Sequence, residues 1–217
     1  MKSSRCCVKL VRYSPPDAIL GQYVRGTIDG GAAPGYREEK GISPESSTET
    51  FIALKLEIGN RRWRNVPFFL RTGKRMPYRC TRIAIYFRNA GASIFNRFNA
   101  SSGIKTNVLT ITIQPDEVFS LEFNMKTPGK PFKLSRQQMQ FRYADAFDDI
   151  PEAYETLIYD VLAGEQTLFV CDDEVEQSWR IYDDLLRDEH EVYPYPSGSW
   201  GPKEIKRLKA NWLNPRD

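Results

Sequence analysis

Histidine occurs once in the 217 residues, at His190, and cysteine four times, at Cys6, Cys7, Cys80 and Cys171. One imidazole and no Cys-x-x-Cys pair leave no ligand set for zinc, and adjacent cysteines are poorly placed to chelate one ion, so no metal is expected. The thiols are expected to be reduced and structural, as in a cytoplasmic protein. No apolar run reaches the length that crosses a bilayer, and the basic segment Met1–Leu10 lacks the apolar stretch of a signal peptide, so no membrane role is expected. Catalytic signatures are missing too. Ser197-Gly198-Ser199-Trp200-Gly201 lacks the spacing of a nucleophile elbow, and no P-loop occurs. Gly30, Gly31 and Gly35 do not make a dinucleotide loop, because Pro34 breaks a helix there and no buried strand leads into them. His190 lies among Asp188, Glu189 and Glu191 near an expected helix end, the setting of a surface histidine rather than of a general base. No catalytic residue is assigned in this chain.

What is present is material for a core. Hydrophobic residues make up 41% of the chain and 12 Phe, 11 Tyr and 4 Trp are spread along it, which excludes disorder. The length suits one large domain over residues 1–217, with residues 1–20 as an N-terminal extension. The net charge of +3 is unevenly distributed. Between Arg61 and Arg88 there are nine basic residues and no acid, whereas between Tyr143 and Glu191 sixteen acids face only Arg180 and Arg187. Such runs are either solvated faces or, for the basic one, a surface that meets an anion such as a phosphate ester or a nucleic acid.

Periodicity divides the chain. Ser14-Pro15-Pro16-Asp17 predicts a short helix stopped before Gly21, and 29–47, rich in Gly, Pro and charge, predicts a surface loop. Strands are predicted at 50–58, 66–71, 82–87, 107–113 and 118–125, the last two forming a hairpin around Gln114-Pro115-Asp116-Glu117. The final third is helical. One stripe carries Ala153, Leu157, Ile158 and Val161 and ends at Gly164. A second follows a capping-box-like Asp173/Glu176 and carries Val175, Trp179, Tyr182 and Leu186. Both stripes are expected to face the core. Strands followed by helices give an α+β fold, a large, mainly antiparallel sheet with helices packed on it.

The segment Phe68-Phe69-Leu70-Arg71-Thr72-Gly73-Lys74-Arg75-Met76-Pro77-Tyr78-Arg79 carries the chemistry that remains. An apolar strand delivers a Thr-Gly turn that presents Lys74 and, past Pro77, Arg79. Gly73 lets backbone approach a ligand, the Lys74 ammonium offers three donors, and the Arg79 guanidinium offers a planar fork. Both suit phosphate or sugar oxygens.

At this point the chain resembles the C-terminal domain of the glucose-6-phosphate dehydrogenase family. The resemblance is carried, in collinear order, by Gly21-Gln22-Tyr23, Gly35-Tyr36, Ser47-Thr48-Glu49-Thr50-Phe51, Val66-Pro67-Phe68, Arg71-Thr72-Gly73-Lys74, Gln114-Pro115-Asp116-Glu117 and Pro128-Gly129. It continues through Ala153-Tyr154-Glu155, Leu157-Ile158-Tyr159-Asp160-Val161-Leu162, Asp173-Glu174-Val175, Trp179-Arg180 and Gly198-Ser199-Trp200-Gly201-Pro202. The resemblance implies a part in oxidising glucose 6-phosphate to its lactone with NADP or NAD, the nucleotide being bound mainly by an N-terminal domain that this chain does not contain. It implies that Lys74, Arg79 and Gln114 contact the sugar phosphate, and that the sheet builds a homo-oligomer. Arg71 and Trp212 match residues at a second, structural NADP site of some members. Cys80, Ala84, Thr112 and Trp200 stand where basic residues contribute to that site, and without those cations a structural nucleotide is not expected. The chain alone is not expected to be catalytic. Two other readings remain: a catalytically dead assembly or regulatory protein, and a nucleic-acid-binding module built on 61–88. The acidic last third and the lack of a base-stacking motif speak against the second, and no nucleic-acid partner is expected.

Overall fold

The computed structural model describes residues 11–12, 17–88, 105–130, 133–148, 153–187 and 190–214. Its strands begin with β1 (Val11–Arg12), β2 (Ala18–Val24), β3 (Gly26–Ile28), β4 (Gly31–Ala33), β5 (Phe51–Ile58) and β6 (Pro67–Gly73). They continue with β7 (Thr81–Tyr86), β8 (Val108–Gln114), β9 (Val118–Lys126) and β10 (Leu134–Arg142). Three helices follow, α1 (Tyr143–Ala146), α2 (Ala153–Ala163) and α3 (Asp172–Arg187), and then β11 (Val192–Pro196). The class is α+β. The chain divides into two compact units, one of Met1–Tyr78 with Gly164–Asp217 and one of Arg79–Ala163.

The first unit is organised around β5. Strand β6 runs antiparallel along one side of it, from Phe51↔Gly73 to Glu57↔Pro67. On the other side β2 pairs at one end and β1 at the other, both antiparallel. Beyond β2 lies β11, parallel to it. Alternation then places two apolar layers on opposite faces. Ile19, Tyr23, Phe51, Ala53, Tyr195 and Leu208 form one buried cluster. Leu20 and Leu54 form the other, closed by Leu185 and Tyr182 of α3.

Strand β2 replaces the short helix expected from Ser14-Pro15-Pro16, whose residues 14–16 lie outside the described ones. Consecutive Ile19 and Leu20 are both buried and belong to different clusters. A strand places neighbouring side chains on opposite faces, so tertiary burial overrides the local capping signal. Residues 29–47 form the expected loop, with β3 and β4 making a small hairpin at its start. Strand β11 was not foreseen because of Pro194 and Pro196. It pairs only with β2, and proline is tolerated on such an edge.

Strands β7 to β10 form a four-stranded antiparallel sheet in the order β10-β9-β8-β7. The expected β8–β9 hairpin is there, in register from Val108↔Glu122 to Thr112↔Val118. Polar β10, also unforeseen, pairs along all of β9. Val108, Thr110, Val118 and Ser120 are buried. The opposite, more apolar face is the open one: Ile83, Ile85, Ile113, Phe119, Met125, Met139 and Phe141 are all exposed, Met139 to 63%.

The helices depart from expectation. The stripe of α2 does not reach a core, since Ile158 and Val161 are exposed, as are neighbouring Tyr154, Tyr159 and Leu162. Helix α3 buries only its C-terminal half. Leu185 is 2% exposed, whereas Val175 and Trp179 face solvent. Its start also lies earlier than the Asp173/Glu176 box. The Cys171 N–H donates to Glu174 Oε2 at 3.4 Å, so the acid three residues into the turn reaches back to Cys171 instead. Gly164 ends α2 in the left-handed conformation, at φ +71°.

Candidate functional site

In the first unit a cleft of ≈ 840 Å³ opens beside the β6 turn, lined among others by Tyr23, Glu39, Lys40, Thr50, Gly73, Lys74 and Arg75. The turn follows directly from β6. A Cβ on Gly73 would lie 2.6 Å from Phe51 Cδ2 and 3.2 Å from Met76 Sδ, so only glycine lets the strand close onto the Phe51 ring. Three hydrogen bonds to their backbone, one of them from a side chain, then hold the next two residues. The Lys74 N–H donates to the Thr50 carbonyl at 2.9 Å, and the Gly198 N–H donates to the Arg75 carbonyl at 2.7 Å. The Tyr195 hydroxyl donates to the Lys74 carbonyl at 2.8 Å.

The two cations of the turn are in different states. Arg75 Nη2 lies 2.6 Å from Glu39 Oε1, and the Tyr23 hydroxyl donates to the same oxygen at 3.2 Å. The guanidinium also lies 6.0 Å from the Tyr23 ring centroid. The hydrogen bond from Arg75 holds the Glu39 carboxyl below the usual carboxylate range, and burial raises the Tyr23 phenol above its ordinary value. Arg75 is thereby neutralised. Lys74 is exposed, and among the described residues no ion pair or side-chain hydrogen bond engages its ammonium. It is the open cation of the turn. The arrangement can hold and orient an oxyanion. Of the two carboxylates that line the cleft, Glu39 is paired with Arg75 and Glu49 is exposed.

Of the residues singled out from sequence, Lys74 therefore lines the cleft. Arg79 and Gln114 belong to the second unit, both exposed. Gln114 ends β8 opposite Thr81, and Arg79 lies two residues before Thr81, so the two share one end of that sheet. Arg71 and Trp212 are together in the first unit. The Arg71 guanidinium sits between two indoles, 4.9 Å from the Trp200 centroid and 4.9 Å from that of Trp212, and its Nη2 donates to Asn214 Oδ1 at 2.8 Å. His190, expected at the surface, is half-buried between α3 and β11. Its Nε2 is enclosed without a hydrogen-bond partner among the described residues, and it lines a separate cleft rather than the one at Lys74. The residues missed from sequence are Thr50, Tyr195 and the Tyr23–Glu39–Arg75 group. Apart from Arg75, which follows Lys74 directly, only long-range pairing brings them to Lys74, although Tyr23 and Thr50 both lie in motifs that carried the resemblance.

The family model described as glucose-6-phosphate dehydrogenase, C-terminal domain, matches residues 7–212. The chain belongs to that family. The glucose-6-phosphate 1-dehydrogenase of Treponema pallidum is 41% identical over 206 residues, covering 91% of this chain and 40% of the relative. That of Aggregatibacter actinomycetemcomitans is 42% identical over 205 residues, again covering 91% of the chain and 40% of the relative. A solved glucose-6-phosphate dehydrogenase in complex with its substrate glucose-6-phosphate superimposes with a TM-score of 0.83 at 30% identity, over 97% of this chain and 44% of that one. The chain thus spans about two fifths of the length of these relatives. Within this glucose-6-phosphate dehydrogenase C-terminal domain, the turn bearing Lys74 is held by hydrogen bonds from Tyr195 and Gly198 and to Thr50.

Proposed function

We propose that this chain is the substrate-anchoring and assembly part of a glucose-6-phosphate dehydrogenase. Its family membership and the open Lys74 ammonium on a turn held by three hydrogen bonds support the reading most directly. In this reading the Lys74 ammonium engages the sugar phosphate, and Arg79 and Gln114, at one end of the second unit's sheet, keep the substrate role that the resemblance implies. A nucleotide, NADP or NAD, would be held mainly by residues outside this chain and would supply the hydride acceptor. The chain's own residues bind and orient, and they move no proton. The chain alone is expected to show no turnover of glucose 6-phosphate with either nucleotide, because its sequence carries no dinucleotide loop and no residue in it is assigned as a catalytic base.

A structural nucleotide does not fit this residue set. The Arg71 guanidinium lies over two indole rings and is bonded to Asn214, and the other matched positions carry Cys80, Ala84, Thr112 and Trp200, none of them a cation. Arg71 and Trp212 instead fasten the C-terminal segment to β6. The exposed apolar face of the β7–β10 sheet supports a homo-oligomer formed through that face. No helix among the described residues is long and apolar enough to cross a membrane, and the reading places the protein in the cytoplasm.

Calorimetric titration with glucose 6-phosphate tests the substrate assignment. A charge-assisted hydrogen bond contributes about 1.5–3 kcal/mol, so Lys74→Ala should weaken binding roughly 10- to 150-fold. Equal affinity in the variant and the parent chain would refute the role of Lys74.

A further inference from the structure

Among the described residues no ion pair or side-chain hydrogen bond engages the Lys74 ammonium, so its direction depends on the backbone beneath it, and a buried hydroxyl is one of the groups that hold that backbone. Tyr195 is fully buried at 0% exposure in the centre of the first unit's core, with its ring against Phe51 and Tyr23. Its oxygen lies 2.8 Å from the Lys74 carbonyl, 3.1 Å from Thr50 Oγ1 and 3.3 Å from the Thr50 carbonyl. The Thr50 hydroxyl in turn accepts the Tyr23 N–H at 3.0 Å. The contacts fit a relay in which the Tyr23 N–H donates to Thr50 Oγ1, the Tyr195 hydroxyl donates to the Lys74 carbonyl, and the Thr50 hydroxyl, with the Gly21 carbonyl as a second acceptor at 3.5 Å, donates to Tyr195. Burial raises the Tyr195 phenol above its ordinary value, so the hydroxyl keeps the proton that the relay needs.

The segment bearing Tyr195 makes a second hold, since Gly198 N–H takes the adjacent Arg75 carbonyl. Two consecutive carbonyls of the turn are therefore pinned by one stretch of chain, Tyr195 to Gly198, more than 100 residues away in sequence. The opposite side of Lys74 is held by the Thr50 carbonyl through the Lys74 N–H. Thr50 thus touches the turn directly and again through Tyr195.

We propose that Tyr195, acting with Thr50, is a positioning residue for anion recognition by Lys74. The proposal rests on the reading of Lys74 as a substrate contact, and it extends that reading to a residue that never meets the ligand. Preorganisation of this kind acts because a binding group held by a second layer of hydrogen bonds loses less freedom when the ligand arrives. Removing the Tyr195 hydroxyl takes away the donor that the Lys74 carbonyl has beside the apolar cluster, while the Thr50 hydroxyl keeps the Tyr23 N–H and the Gly21 carbonyl, and the turn can relax to satisfy the carbonyl.

Tyr195→Phe in the full 217-residue chain, followed by amide hydrogen exchange and by titration with glucose 6-phosphate, tests it. Exchange at the Lys74 amide should accelerate about tenfold or more while that at Leu54, mid-strand in β5, stays within about twofold. Affinity for glucose 6-phosphate should fall about tenfold, whereas Thr50→Ser, which keeps a hydroxyl, should stay near the parent value. Unchanged exchange at Lys74, unchanged affinity in a chain that does bind, or equal loss of protection at Lys74 and Leu54 would overturn the proposal. If the parent chain binds no glucose 6-phosphate yet exchange at Lys74 responds as stated, the substrate reading fails and the control of the turn by Tyr195 stands.

Discussion

At the scale of single residues, the charge on the β6 turn is sorted by pairing. Arg75 and Lys74 are adjacent and both cationic, yet Glu39 takes the first and leaves the second. The consequence for pH is specific. Because the folded chain holds the Glu39 carboxyl below its ordinary value, its contribution to stability is present above the unfolded carboxylate pKa. It is lost as pH falls through the lowered folded value. Glu39→Gln should therefore melt below the parent chain at neutral pH, with the gap closing under acid conditions. Since the pair is largely solvated the gap is small, and parallel thermal melts from neutral to acid pH measure it. A gap that widened on acidification would show that the hydrogen bond from Arg75 is not what holds the carboxyl charged. Lys74 itself was legible in the sequence, because the Thr-Gly turn after an apolar strand marks it. Tyr195, Thr50 and Glu39 were not, since they reach the turn only by pairing between distant segments.

At the scale of elements, the strands with alternating or β-branched sequences were found near their observed bounds, and the hairpin at Gln114-Pro115 was legible from its turn residues. The failures share a cause. Residues Ala18–Val24 form a strand because Ile19 and Leu20 must be buried on opposite faces, which no local capping signal encodes. Strand β11 is concealed by two prolines that an edge tolerates. The helices α2 and α3 carry apolar stripes, but only the C-terminal half of α3 finds a partner within the described chain, at Leu20 and Leu54. Leu185→Ala should accordingly destabilise the first unit by about 2–5 kcal/mol in urea unfolding. Val175→Ala, on the exposed half, should change it by less than about 0.5 kcal/mol. Comparable losses at both positions would contradict the assignment of the buried half.

At the scale of the whole molecule, the apolar side of the β7–β10 sheet needs a cover. A face bearing Ile83, Ile85, Phe119, Met139 and Phe141 is larger than the scattered apolar residues of an ordinary surface. Self-association through this face should give a concentration-dependent oligomer in sedimentation velocity. Phe141→Asp should shift it to monomer without loss of secondary structure, and a parent chain that stays monomeric across the concentration range would exclude the face as a self-interface. The central claim, however, concerns the anion that the chain holds. Titrating ¹⁵N-labelled chain with glucose 6-phosphate, with glucose as the phosphate-free control, tests it most directly. The account predicts saturable amide shifts at Lys74 and its latched neighbours, and at Arg79 and Gln114, with none from glucose. Shifts confined to the basic Arg61–Arg64 loop, or no saturable shift at Lys74, would contradict it.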